Sequence, residues 1–139
     1  MPLLSIIVPI YNDEKYFTEC IDSVLQQSEN NFELLVVDNC STDKTCFIVK
    51  SFSDPRIKLE INKTNLGSIA NFNRCIKLAQ GEYFILLPHD DLLLPTALEI
   101  FSKTLISEQN IGLAYSSYYG INERSEQTHL HMFADQDKT

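Results

Sequence analysis

Short, nearly continuous apolar runs alternate along this chain with segments of helical period. Residues 3–10 (LLSIIVPI), 34–37 (within ELLVVD) and 83–87 (YFILL) contain few polar positions. Such runs fit strands covered on both faces, as in a parallel sheet. Residues 57–61 (IKLEI) alternate apolar with polar, which fits an edge strand, and residues 111–115 (IGLAY) read as a further strand.

Four helices are expected between these runs. Phe17, Cys20, Ile21, Val24 and Leu25 fall on one stripe, with Asp13 as a good N-cap. A second helix is expected over residues 43–52, with Ser41 or Thr42 near its cap and Ile48, Val49 and Phe52 facing in; it stops before Asp54-Pro55. A third follows Gly67, with Ile69, Phe72, Ile76 and Ala79 on one side and Gly81 ending it as a left-handed cap. A fourth has Pro95 in its first turn and packs through Leu98, Phe101 and Leu105.

Strand and helix alternate throughout, so the expected fold is α/β, with a mostly parallel, Rossmann-like sheet and right-handed crossovers. The domain reading is a principal subdomain over residues 1–121, followed over 122–139 by a polar tail or the start of a further element. From Asn122 onward the pattern is polar and weakly periodic, as in a loop or frayed end.

Composition narrows the function. A chain of 139 residues is a typical size for one domain with a real core. Its net charge of −8 argues against nucleic-acid binding, which needs Lys and Arg to neutralise phosphates. A phosphate-bearing ligand would then need local neutralisation, and a divalent cation is the obvious means. No apolar run approaches the roughly 20 residues that cross a bilayer. The N-terminus has no basic region of the signal-peptide kind. Cys20, Cys40, Cys46 and Cys75 lack CxxC spacing and read as free thiols of a cytosolic protein.

In an open parallel sheet, ligands bind beyond the carboxyl ends of the strands. There the chain places Tyr11 and Asn12, then Asp38, Asn39 and Cys40, then His89, Asp90 and Asp91. Asp38 suits an N–H donor such as a base imide, or else caps a turn. Tyr11 offers a face for stacking. One acid of the Asp90–Asp91 pair can take a ribose hydroxyl and the other a hard divalent ion, Mn or Mg; the plainer reading is a solvated turn before the Pro95 helix. His89 is a hydrogen-bonded loop residue or a metal or diphosphate contact. Glycine-rich dinucleotide and P-loop signatures are missing.

The segments SIIVPIYN (5–12), LLVVDNCSTDKT (34–45) and NLGSIANFNRCIKLAQGEYFILLPHDDLLLP (65–95) resemble the successive signature blocks of family 2 glycosyltransferases, in order and spacing. The resemblance implies a GT-A fold, a nucleotide-sugar donor (often a UDP-sugar), a divalent metal and sugar transfer with inversion. It implies that Pro9, Tyr11 and Asp38 frame the base, that Asn73 and Arg74 reach the nucleotide, that Asp90 lies near the ribose, and that Asp91 is the metal-binding acid. The expected acceptor is a saccharide or lipid-linked saccharide, and the expected location is cytoplasmic, with association to the cytoplasmic side of a membrane.

Three departures stand out. The first acid of a full D-x-D-D pattern falls on Pro88, and the usual Arg before Asn73 is Phe72. The family's catalytic base belongs to the acceptor half, and Asp135 and Asp137, in the polar tail, do not fill that role. The chain therefore reads as a truncated, donor-binding half. A non-catalytic nucleotide-sugar-binding module is the rival reading. A flavodoxin-like receiver is disfavoured, because neither Tyr11-Asn12 nor residues 61–63 supply its acids. Tyr115, Tyr118 and Tyr119 suggest an exposed edge capable of self-association.

Overall fold

The structure, a computed structural model, describes residues 1–107 and 111–133. Its elements are β1 (Leu4–Ile10), α1 (Phe17–Leu25), β2 (Phe32–Asp38), α2 (Thr45–Ser51), β3 (Ile57–Ile61), α3 (Ser68–Leu78), β4 (Tyr83–Leu86), α4 (Ala97–Ser107), β5 (Tyr118–Ile121) and β6 (Gln127–His131). The chain forms two compact units, Met1–Lys103 and a second beginning at Thr104.

In the first unit the strands form one parallel sheet in the order β3-β2-β1-β4. The two central strands explain the unbroken apolar runs, since β2 is buried along its whole length and β1 everywhere but Pro9. Successive right-handed crossovers from β1 to β2 to β3 carry α1 and α2 to one face, and the reversed step from β3 back to β4 carries α3 to the other. On the α3 face Ile7, Leu35, Val37 and Cys75 form a buried cluster, flanked by Phe72, Leu78 and Ala79. Phe17, Cys20, Ile21 and Val24 are the buried side of α1, as its stripe predicts.

Several local expectations are corrected. The buried positions of α3 are Asn71 and Cys75, while Ile69 is 77% exposed. The helix is turned toward Asn71 because that amide is anchored to the Val37 carbonyl of β2. Gly81 is not a left-handed cap, since Gly67 is the only described glycine with positive φ. A Cβ on Gly81 would stand 2.6 Å from the Ser5 backbone nitrogen, so the residue is small to let the α3–β4 turn press against β1. β4 is an edge strand rather than one covered on both faces, and Phe84 and Leu86 remain exposed.

Against that turn lies a buried carboxylate of β2. Glu33 Oε1 accepts from the Ser5 hydroxyl at 2.5 Å and from the Gln80 amide at 2.7 Å, and Lys58 Nζ lies 2.7 Å from Oε2.

In the second unit residues 111–115 are not a strand. The ladder starts later, where β5 finds an antiparallel partner in β6. Asn122 closes the connection: its Oδ1 accepts from the Arg124 amide at 2.9 Å and the Glu126 amide at 3.1 Å, and Ser125 adopts φ 60°. From Asn122 to Phe133, where the described residues end, the polar stretch thus holds a turn and a strand. Asp135 and Asp137 lie outside the described residues.

Candidate functional site

The strand order reverses at β1, with β2 on one side and β4 on the other. The crevice beyond the carboxyl ends of β1 and β4 is therefore a topological switch point, where α/β sheets bind ligands. The loops after β1, β2 and β4 form its rim.

Side chains stitch the first two loops together. The Asn12 amide donates to Ser41 Oγ at 2.9 Å, and Asn12 Oδ1 accepts from the Thr42 amide at 2.8 Å. The Asp13 amide donates to Thr45 Oγ1 at 3.1 Å, and Glu14 Oε2 accepts from the Lys44 amide at 2.9 Å. Asn12 (φ 51°) and Cys40 (φ 66°) take the left-handed conformation at the strand ends, which turns each loop sharply.

Asp38 ends β2 and is fully buried. Its Oδ2 accepts from the Ser41 amide at 2.9 Å, which shapes the turn. Its Oδ1 is buried and accepts no N–H or O–H. The Cys46 thiol is pushed up to about 11, first by burial and then by its interaction with the Asp38 carboxylate. A buried acceptor left without a donor costs about 1–3 kcal/mol, so this oxygen is primed for an incoming N–H.

Beside it lies a buried chain of asparagines that the sequence pattern alone did not reveal. Asn71 Nδ2 donates to the Val37 carbonyl at 2.8 Å, and Asn62 Nδ2 donates to Asn71 Oδ1 at 2.7 Å and Asn39 Oδ1 at 2.8 Å. Asn39 Oδ1 also accepts from the Leu66 amide, and Asn39 Nδ2 donates to Asn65 Oδ1 at 2.9 Å. This chain pins residues 62–67 over the ends of β2 and β3 and sets where α3 begins. The recurrence of Asn at 39, 62, 65 and 71 was the available signal.

The acid loop after β4 is held from below. Asp13 is not the N-cap of α1: the cap position is Tyr16, without a side-chain cap bond. Asp13 Oδ2 instead lies 2.6 Å from His89 Nδ1. The Asp91 amide donates to the Pro88 carbonyl at 3.1 Å, forming the turn that presents both acids. Burial and then the Asp90 charge push the Asp91 carboxyl above its ordinary range, with His89 opposing. Burial, followed by Asp91, Asp90 and Asp13, pushes the Cys20 thiol up to about 12. Asp13, Asp90 and Asp91 thus make this part of the rim electronegative.

The remaining expected residues are more dispersed. Pro9 is partly buried in β1 and Tyr11 is 45% exposed beyond its end. Asn73 is exposed on α3. Arg74 turns to β3, with Nη2 3.3 Å from Glu60 Oε2. Among the described residues, no group of three or more His, Cys, Asp or Glu forms a metal cluster. The four cysteines are free.

The model for glycosyl transferase family 2 matches residues 5–138. The chain is 40% identical over 123 residues to an Escherichia coli protein, the UDP-Glc:alpha-D-GlcNAc-diphosphoundecaprenol beta-1,3-glucosyltransferase WfgD; the match covers 88% of this chain and 48% of that protein. Residues 1–349 of S. aureus TarS, crystallised with UDP-GlcNAc, superpose with a TM-score of 0.70 at 28% identity, covering 87% of this chain and 40% of that one. The mannosyltransferase PcManGT from Pyrobaculum calidifontis, in complex with GDP-Man and Mn2+, shares the fold with a TM-score of 0.68 at 24% identity, covering 80% of this chain and 34% of that one. The chain spans less than half the length of each of these proteins.

Proposed function

The chain belongs to glycosyl transferase family 2, and we propose that it is the donor-binding half of an inverting, metal-assisted enzyme that moves a sugar from a UDP-sugar to an acceptor hydroxyl. Its fold is of the GT-A type, like that of TarS. The observation that carries the proposal is Asp38 Oδ1, a buried acceptor without a partner at the carboxyl edge of the sheet. That oxygen takes the imide N–H of a base stacked on Tyr11 and bordered by Pro9. Asp90 accepts from a ribose hydroxyl; Asn73, exposed on α3, and Arg74, once it leaves its ion pair with Glu60, are assigned to the nucleotide.

The donor set also fits a hard divalent ion, Mn2+ or Mg2+. Asp91 is held above its ordinary range by burial and by Asp90, and a cation relieves that like-charge strain. One carboxylate plus substrate diphosphate oxygens is an ordinary shell for such an ion, which explains how binding works without a cluster of three protein ligands. When bound, the ion neutralises the charge that grows on the departing nucleoside diphosphate.

The acceptor hydroxyl and the base that deprotonates it are assigned to the acceptor half, with residues 1–121 as the donor part and 122–139 as the beginning of that second half. WfgD's name, with its diphosphoundecaprenol-linked acceptor, supports a saccharide or lipid-linked saccharide acceptor, and the location that goes with this reading is cytoplasmic, at the cytoplasmic side of a membrane. No described helix is long and apolar enough to cross a membrane, so such an association would be peripheral within these residues.

Calorimetric titration with UDP, in Mn2+ and then in EDTA, tests the site. Asp91→Ala should remove most of the metal-dependent affinity, because it deletes the only protein carboxylate assigned to the ion. Unchanged binding by that variant in Mn2+ would sink the assignment.

A further inference from the structure

We propose that His129 and His131, on β6, form a binding site for a first-row transition-metal ion of the zinc class, built from residues of the second unit. The two histidines are two residues apart in a strand and so share one face. Their Nε2 atoms stand 2.6 Å apart, and their ring centroids are 4.4 Å apart. Imidazole nitrogens are good ligands for zinc, copper and nickel and poor ones for the hard ions that diphosphates prefer.

Both rings are held in place from the other strand. Gly120 pairs with His129, and a Cβ there would come 2.6 Å from His129 Cε1. The missing side chain is what lets the His129 ring lie over β5. Tyr118 pairs with His131 and stacks on its ring, with centroids 4.7 Å apart and planes at 23°. Thr128 Oγ1 lies 2.8 Å from His129 Nδ1. With the ring nitrogen donating to that hydroxyl, the Nε2 lone pair of His129 is left outward. A hydrogen-bonded outer nitrogen is the usual support of a metal-binding histidine.

The metal-free pair is a hydrogen bond in which one Nε2 donates and the other accepts. Two imidazoles on one tetrahedral zinc, at about 2.0–2.1 Å from the metal, need their nitrogens about 3.3 Å apart. The rings would have to part by less than about 1 Å to reach that geometry. On binding, His131 would carry its proton on Nδ1 instead of Nε2, so that both neutral rings turn an Nε2 lone pair to the ion, with water completing its shell.

The test is a titration of the 139-residue chain with Zn2+ alone, read by calorimetry and by nitrogen spectra of the histidine rings. Zn2+ should shift the Nε2 signals of both His129 and His131. His129→Gln and His131→Gln should each weaken zinc binding by about tenfold or more. Thr128→Val, which keeps both ligands, should weaken it by about tenfold, the lower end for an outer-shell partner. Ring signals of His129 and His131 that stay in place, in the wild-type chain at saturating Zn2+, overturn the proposal whatever the variants do. So does equal zinc affinity in folded His129→Gln and His131→Gln.

Discussion

Asp13 Oδ2 lies 2.6 Å from His89 Nδ1 and joins the loop after β1 to the loop after β4 where the strand order reverses. The two residues are 76 positions apart, so this contact fixes the crevice rather than any single loop. His89 is thereby held by Asp13 as a hydrogen-bonded loop residue, and in the proposed site the two acids after it would face the ligand.

Asp13→Ala should therefore loosen the acid loop while the sheet stays intact. The lost hydrogen bond is partly buried and should cost about 0.5–1.5 kcal/mol of stability. UDP affinity in Mn2+ should fall by more than that stability loss alone would cause, since the folded chain remains the dominant species. Calorimetry beside a thermal melt separates the two effects. Wild-type affinity in a destabilised variant would show that the contact serves the fold only.

Asp38→Asn addresses the base pocket. The amide keeps an acceptor oxygen but loses the charge and can present its NH₂ to the ligand. UDP affinity should drop by about 1.5–3 kcal/mol, the scale of a hydrogen bond to a charged group. The Ser41 amide can still be met by the Asn oxygen, so the turn should survive. A variant that fails to fold would assign Asp38 to turn formation, and normal UDP binding would move the base elsewhere.

The buried Glu33 predicts a pH dependence at the opposite end of the sheet. Burial by itself would raise its carboxyl, but Lys58, the Ser5 hydroxyl and the Gln80 amide outweigh burial and hold it below its ordinary range. A carboxyl depressed in the folded state contributes stability that is complete above its unfolded value, about 4.3, and lost as pH falls through the folded value. Glu33→Gln should cost about 1–3 kcal/mol near pH 7, the scale of a charged hydrogen bond. The gap from wild type should narrow as pH falls through the folded value and close below it, where Glu33 is protonated in both states. Urea unfolding at neutral pH and down through the acid range decides this; a gap of constant size would mean that shape, not charge, is what Glu33 supplies.

The sequence made β1 and β2 legible because both faces of those strands are buried, leaving no polar position to blur the pattern. The rim was legible for a related reason, since Tyr11, Asp38 and His89–Asp91 come directly after apolar runs. Asn62 and Asn71 were not, because amides ordinarily count as surface residues; only their mutual hydrogen bonds permit burial. That same burial misled the reading of α3, where apolar Ile69 is exposed and polar Asn71 is inside. Asp13 looked like a helix cap by position, yet its partner is distant in sequence. Residues 111–115 looked like a strand by composition, whereas strand formation was settled by which segment could find a partner, and Tyr118–Ile121 found one.

The last prediction concerns what this chain does alone. It should bind a UDP-sugar in Mn2+ and fail to transfer the sugar. The rim supplies a buried acceptor, a stacking ring and a carboxylate pair, but no described residue is assigned to deprotonate an acceptor hydroxyl. Positioned proton transfer contributes roughly 10²–10⁴ in rate, and orientation of the acceptor can contribute more. Slow hydrolysis of the donor, with water in place of the acceptor, is the most that should be seen. The chain should also associate with itself at high concentration. Tyr115, Tyr118 and Tyr119 are 63%, 53% and 43% exposed, and Phe133 packs against Tyr115 at 5.1 Å between ring centroids. Exposed aromatic clusters of this kind commonly find partners. Product formation with a panel of saccharide and lipid-linked acceptors, and mass in solution, are the two measurements. Robust transfer by the 139-residue chain would falsify the half-enzyme reading. A strictly monomeric chain would count against the aromatic edge while leaving donor binding untouched.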